Sequence, residues 1–322
     1  MPLPRRRACD DGGVLAPARP LVSSRSFRLA APVDVRATLL PHRRGPLDPA
    51  FQVGPDGAVW RATRTPEGTA TLRILPTGPD SVTATAWGAG AEAALDAVPG
   101  LLGDDDPEDF DPPPGRVRDA WRRTRTVRMT RSGNVLEAVV PAVMEQRVVT
   151  RQAHDAWRWL LRKHGEPAPG PVADRMRVPP TAETWAAVPV WDFHRAGIDP
   201  GRARTVVACA RVAASLQRCA ALDPAEARRR WQSVPGVGVW TAAETAQRAL
   251  GDPDALAVGD FHLAGQVGWA LTGERVDDDG MLALLEPFRG QRHRAAKHLL
   301  LAGYARGVRR GPRATIEDHR DR

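Results

Sequence analysis

Ser233-Val234-Pro235-Gly236-Val237-Gly238-Val239-Trp240-Thr241-Ala242-Ala243 is the stretch from which the rest of the chain can be read. It follows a segment opening Asp223-Pro224-Ala225-Glu226, with a capping Asp, Pro at the first helical position and Glu where a capping box places it. A second helical segment runs on towards Arg248. A plain helix–helix connection needs one glycine. Pro-Gly-x-Gly supplies two, which permit positive φ and let the backbone approach a neighbour closely. The amides that open the next helix then point outward, unpaired and oriented for an anion. Pro235, Gly236, Val237, Gly238 and Thr241 are therefore expected to form a phosphate-binding hairpin.

Downstream, Leu250-Gly251 ends the helix and Asp252-Pro253-Asp254 makes a turn before Ala257-Val258-Gly259-Asp260-Phe261-His262-Leu263. Asp260 either caps a new helix beginning at Phe261 or presents its carboxylate to whatever the hairpin holds. Upstream, Leu136, Val139, Val140, Val143 and Met144 recur at helical spacing, with Pro141 predicting a kink. Trp157, Leu160 and Leu161 mark another helix, and Asp199-Pro200 a further capped start. Residues 116–305 read as a helical array with short connections and no sheet.

Residues 103–115, with three consecutive prolines and clustered acids, read as an acidic linker whose carboxylates form a solvated loop. Residues 21–102 read as a sheet domain, with a period nearer two than 3.6 from Ser26 to Trp87. Ala58–Arg64, Thr69–Leu75 and Ser81–Trp87, each preceded by a turn signal, predict an antiparallel sheet, covered by a helix over 89–98. Residues 1–20 read as a flexible arm and 306–322 as a basic tail. The fold class expected is α+β.

Of 322 residues, 46 are Lys or Arg against 38 Asp or Glu, a net charge of +8. Only Lys163 and Lys297 are lysines, so 44 residues are arginine. The excess points to a phosphate polymer as partner, or to a basic surface that serves solubility. No apolar run is long enough for a membrane span, and Arg5-Arg6-Arg7 is followed by polar residues where a signal peptide would be apolar. A cytoplasmic, nucleoid-associated protein without membrane contact is expected. Cys9, Cys209 and Cys219 are too few and scattered for a disulfide framework or thiolate metal site. The histidines lack ligand spacing, and Asp277-Asp278-Asp279-Gly280 lacks the alternating ligands of a calcium loop. No metal and no cofactor are expected.

Hairpin, intervening helix and Asp260 together closely resemble the helix-hairpin-helix DNA glycosylase superfamily, in its DNA-3-methyladenine glycosylase II (AlkA-like) branch. The resemblance spans roughly 27–304 and implies an N-terminal sheet domain similar to half of a TATA-binding protein. It implies a hairpin that grips DNA beside a damaged base, with Asp260 in the active site. Trp240 corresponds to the hairpin Trp that lines the base pocket, or is a core Trp on an amphipathic helix. Strand-nicking members carry a lysine at that position, and relatives with an iron–sulfur cluster carry four C-terminal cysteines; neither is present.

The expected activity is that of a monofunctional glycosylase of base-excision repair. It would hydrolyse the N-glycosidic bond of alkylated purines in double-stranded DNA and leave an abasic site. Asp260 would stabilise positive charge at the sugar, and Trp240 would stack on the cationic base. The residue that fills the vacated stack would be Gln146 or Arg147, in Met144-Glu145-Gln146-Arg147-Val148, where the branch usually has an apolar side chain; the alternative for either is a plain surface polar residue. Pro287-Phe288-Arg289-Gly290-Gln291-Arg292-His293-Arg294 departs from the family's aromatic-rich stretch, leaving Phe288 for the pocket wall. Arg292 and Arg294 are either phosphate contacts or surface arginines. A monomer is expected. The alternatives are a glycosylase of this fold for another damaged base, or a protein that binds bent or damaged DNA without cleaving it.

Overall fold

Along Ser81–Trp87, Val82, Ala84 and Ala86 are buried while Ser81, Thr83, Thr85 and Trp87 are only partly covered, the alternation of a strand with one core face. In a computed structural model, which describes residues 22–106 and 110–305, this strand is β5 of a five-stranded antiparallel sheet. The others are β1 (Val22–Arg28), β2 (Phe51–Val53), β3 (Val59–Thr65) and β4 (Gly68–Gly78), in the order β1-β5-β4-β3-β2. Pro66-Glu67 makes the tight turn that pairs Thr65 with Gly68, and β4 shifts register between Pro76 and Gly78. Helices Ala91–Asp96 and Val98–Leu101 cover one face, where Phe51, Leu72, Ile74, Leu95 and Leu101 form a core. The α+β expectation holds. The arm 1–20 and the tail 306–322 lie outside the described residues.

The helical half is arranged around Val135–Met144. Asn134 caps this helix by accepting from Glu137 N, and it carries Pro141 within it. Its valines meet Trp157, Leu160, Trp185, Phe193, Val206 and Trp231 in the largest core. Glu137, on the same helix, reaches across to the sheet. It accepts from Arg61 Nη2 at 2.9 Å, from Thr63 Oγ1 at 2.8 Å and from Arg64 N at 2.8 Å. Truncating one member of so buried a pair costs about 3–5 kcal/mol, because the other charge is left unsatisfied.

Two expectations are corrected. The helical region does contain strand: Glu166–Pro167 pairs antiparallel with Arg177–Val178. These strands are too short to show a period in sequence. Val178, with Ala168, Val172 and Met176, covers Ala62 and Trp60 on the second face of β3. Nor is the acidic stretch a solvated loop throughout: Asp111 is exposed beside Arg118, but the other described acids are paired across the fold. Asp104 pairs with Arg128 at 3.3 Å, Asp105 with Arg131, and Asp106 with Arg294. Asp104 also accepts from Ala30 N at 2.7 Å. The acids tie the sheet to the C-terminal helices, and Phe110 is buried against Trp121, ring centroids 6.2 Å apart.

Candidate nucleic-acid interface and active site

Between helices Pro224–Trp231 and Val239–Ala249 the apolar and flexible residues of the hairpin face opposite ways. Val234 and Val237 are buried in the large helical core, while Pro235, Gly236 and Gly238 are exposed. Burial of the two valines, about 1.5–3 kcal/mol each, anchors the turn and leaves its glycine backbone outermost. Asp223 accepts from Ala225 N at 2.9 Å and Glu226 N at 3.3 Å. The Glu226 carboxylate is engaged by Arg229 and Arg230 instead of completing a capping box.

The two glycines are required for different reasons. Gly236 has φ +91°, and a Cβ there would fall 2.0 Å from Thr205 Oγ1. The protein's own interior demands it. Gly238 has φ −92° and no protein atom within 4 Å of a built Cβ. Nothing internal demands a glycine there; an external surface lying against the turn would. The helix that starts after it has no side-chain cap, so its first amides remain available to an outside acceptor.

The segment after Val135–Met144 braces this turn. Gln146 Nε2 donates to Gly236 O at 2.9 Å and to the Thr241 hydroxyl at 2.7 Å. Thr241 is itself only 2% exposed, so its contribution is to the brace and not to an outer surface. Glu145 turns inward to Arg44 at 3.2 Å. Arg147 does the opposite. It is exposed, and at φ +54° it is the one non-glycine residue with positive φ among the described residues. Such a conformation costs of order 1–3 kcal/mol and is found where surrounding structure enforces it.

Asp260 lies half-buried at the mouth of the next helix, which starts at Leu263 rather than Phe261. Its Oδ1 accepts from His262 N at 2.8 Å and Leu263 N at 2.9 Å. Its Oδ2 accepts from the Trp240 indole Nε1 at 3.2 Å. Hairpin helix and carboxylate are therefore joined directly. Trp240 is partly buried against the helical core, so it serves the core and the site together. Phe261, which the sequence reading passed over except as a helix start, is 79% exposed beside Asp260, its ring 4.9 Å from that of His262. A large apolar side chain just outside a helix's apolar stripe was the available signal.

The remaining sequence candidates fall elsewhere. Phe288 packs in the C-terminal core, which also takes Leu263, and makes no ring contact with Trp240 among the described aromatic pairs. Arg292 and Arg294, expected as phosphate contacts or surface arginines, are internal ties. Arg292 Nε donates to Asp254 Oδ1 at 2.8 Å and its Nη2 to Oδ2. Arg294 is 5% exposed, pairs with Asp106 and lies over the Phe110 ring at 5.6 Å. Neither lysine is on the hairpin: Lys163 pairs with Asp192 at 2.5 Å, and Lys297 Nζ donates to Arg128 O at 2.7 Å. Burial pushes the Cys209 thiol up to about 12, which makes it a packing residue. Among the described residues there is no cluster of metal-ligating side chains, and no helix is long and apolar enough to cross a membrane.

With this geometry in hand, the chain can be set beside known proteins. No family model matches it. The probable bifunctional transcriptional activator/DNA repair enzyme AlkA of two Mycobacterium tuberculosis strains is 33% identical over 138 residues, 42% of this chain. That match spans 27% of the relative's length, about a quarter of it. Among solved structures, a 3-methyladenine DNA glycosylase from Archaeoglobus fulgidus superposes with a TM-score of 0.73 at 19% identity, covering 88% of this chain and 98% of that one. The apo 8-oxoguanine glycosylase/lyase of Clostridium acetobutylicum gives 0.68 at 12% identity, covering 88% and 98%. The fold is that of these solved DNA glycosylases, and the relative matched over 138 residues is described as an AlkA repair enzyme, which accords with the resemblance.

Proposed function

We propose that this chain, built on the helix-hairpin-helix glycosylase fold, is a monofunctional DNA glycosylase that removes alkylated purines from double-stranded DNA. The observation that carries the reading is the Asp260 carboxylate: two backbone amides orient one oxygen, and the other sits on the Trp240 indole at the foot of the open hairpin. Loss of an N-glycosidic base builds positive charge on the sugar. A fixed carboxylate beside the anomeric carbon stabilises that charge and orients the attacking water. An alkylated purine is already cationic and leaves readily, so no strong general acid is needed. The exposed Phe261 ring and the Trp240 indole offer π faces to such a base.

Three features support the division of labour. The outward Gly238 backbone and the uncapped amides behind it suit a DNA phosphate. Gln146 is committed to bracing the hairpin, which leaves the exposed, left-handed Arg147 to fill the stack when the base is everted. With Trp240 where a Schiff-base lysine would stand, and both lysines tied elsewhere, hydrolysis without strand scission follows. The enzyme would act as a monomer and without cofactor.

A second reading has an observation of its own: the three donors on Asp260 would suit a purely structural cap, as in a protein that binds damaged DNA without cleaving it. Asp260→Asn separates the two, because its amide oxygen still accepts from His262 and Leu263, while the charge and the second acceptor for the Trp240 indole are lost. Duplexes carrying 3-methyladenine, 7-methylguanine, hypoxanthine or uracil are incubated with protein, and alkali-labile sites are counted. The wild type should release alkylated purines, with release falling by about a hundredfold to a thousandfold in Asp260→Asn and binding retained. Unchanged release in that variant would remove Asp260 from the chemistry. Binding without release on every substrate would establish the non-catalytic reading.

A further inference from the structure

At the far end of helix Thr150–His164 from the Arg147 loop lies a cleft of about 610 Å3. At 1.5 Å per residue the helix separates Arg147 from Arg162 by roughly 20 Å, so the cleft is not part of the hairpin face. Its walls come from three places: the segment 43–53, which ends in β2, the last turn of that helix, and the segment 174–177. Four arginines line it: Arg43, Arg162, Arg175 and Arg177.

The pairing of these four sets them apart from their neighbours. At the same junction of sheet and helices, Arg44 holds Glu145, Arg61 holds Glu137 and Arg64 holds Glu166. None of the four cleft arginines has a carboxylate partner among the described residues. Arg43 donates only to Pro46 O at 3.1 Å, and its Nε is closed off from solvent with no partner. Arg177 uses one nitrogen on Ala173 O and Met176 O, at 2.9 and 2.8 Å. Of the two acids in the wall, Asp48 is already taken by the amides of Arg44 and Ala50 and by the Trp157 indole. Asp174 is exposed. Four like charges around a concavity focus a positive field and repel one another until an anion enters. Guanidinium forks match phosphate oxygens, and a cleft of this volume is of ligand size. Leu47, 60% exposed, and Val53 give it an apolar side.

We propose that this cleft is a second anion site that takes a phosphate-bearing ligand of nucleotide size. The phosphate sits among Arg43, Arg162, Arg175 and Arg177, with the ring or sugar against Leu47 and Val53. The ligand is either a free nucleotide or the terminal nucleotide of a DNA strand.

The test uses the full chain and a fluorescent dinucleotide with and without a 5′-phosphate, at low salt and again at high salt. The wild type should prefer the phosphorylated probe by about tenfold or more. The double variant Arg162→Glu/Arg175→Glu, at two exposed positions, should lose that preference with its melting temperature unchanged. Arg43→Gln gives an independent, milder loss should the double variant melt early. Displacement by adenosine monophosphate assigns the site to free nucleotides; displacement only by 5′-phosphorylated oligonucleotides assigns it to strand ends. Equal binding of the two probes, or a preference that survives in the arginine variants, would overturn the proposal.

Discussion

At the acidic crossing Asp104, Asp105 and Asp106 each hold an arginine, and the Arg294 guanidinium is enclosed between Asp106 and the Phe110 ring. At the hairpin face Arg147 stands exposed in a left-handed conformation, without a carboxylate partner among the described residues. On the turn that Gln146 braces, a Cβ at Gly238 would meet no protein atom within 4 Å. Both regions are drawn from the same arginine-rich composition. The crossing spends its charge on holding the sheet to the helices, whereas the hairpin face leaves the Arg147 charge without a carboxylate partner among the described residues and its first helical amides without a side-chain cap. In such a chain an arginine's function is read from what it is paired with, and the residue type alone says little.

The sharpest way to break this contrast is at the crossing. Asp106→Ala leaves the Arg294 cation enclosed and unpaired, and should lower the unfolding free energy by about 3–5 kcal/mol while leaving DNA affinity per folded molecule unchanged. Chemical denaturation and duplex binding, measured together, decide it. A loss of DNA affinity with no loss of stability would reverse the roles assigned to the two regions.

Lys297 tests the same region through pH. Burial, with repulsion from Arg294, brings its ammonium down from the ordinary 10.5 to about 8. The folded value lies below the unfolded one, so this group's contribution is complete above pH 10.5 and is lost as pH falls through 8. Stability should decline by about 3 kcal/mol over that window. Lys297→Met should flatten this part of the stability curve, as followed by denaturant midpoints across pH; a slope that persists would assign it to other groups.

The two hairpin glycines sharpen the comparison within a single turn. Gly236→Ala should destabilise the fold by about 1–3 kcal/mol, since its Cβ meets Thr205 and its φ is positive. Gly238→Leu should leave the melting temperature in place and weaken duplex binding by about tenfold, whatever the lesion. If Gly238→Leu binds DNA normally, nothing external lies against the turn.

The smallest effect is expected at the neighbouring loop. Gln146→Ala removes two hydrogen bonds to the hairpin and should cost about 1 kcal/mol of stability. On the proposed role in filling the stack, Arg147→Ala should spare stability and slow base release several-fold, more for a lesion in a sound pair than in a mismatch. Equal slowing on both substrates would argue against a role in filling the stack.

The parts of this molecule that were legible in sequence are those whose causes lie within a few residues. Pro235-Gly236-Val237-Gly238, the capping aspartates Asp199 and Asp223, and the alternation over Ser81–Trp87 each carry their backbone conformation in their own neighbours. Asp260 was legible as a cap, accepting from His262 N and Leu263 N; its assignment to the site came from the family resemblance. The two-residue strands at Glu166 and Arg177 were not, being shorter than any period.

From sequence alone came the α+β order, the hairpin and the lone carboxylate beyond it, because turns, caps and periodicity are short-range steric and hydrogen-bonding preferences. Only the folded chain decided which charges are spent. Arg294 meets Asp106 across 188 positions and Gln146 meets Gly236 across 90. An ion pair or a brace of that kind exists only when chain closure brings the partners within a few ångströms, and no local pattern records that distance.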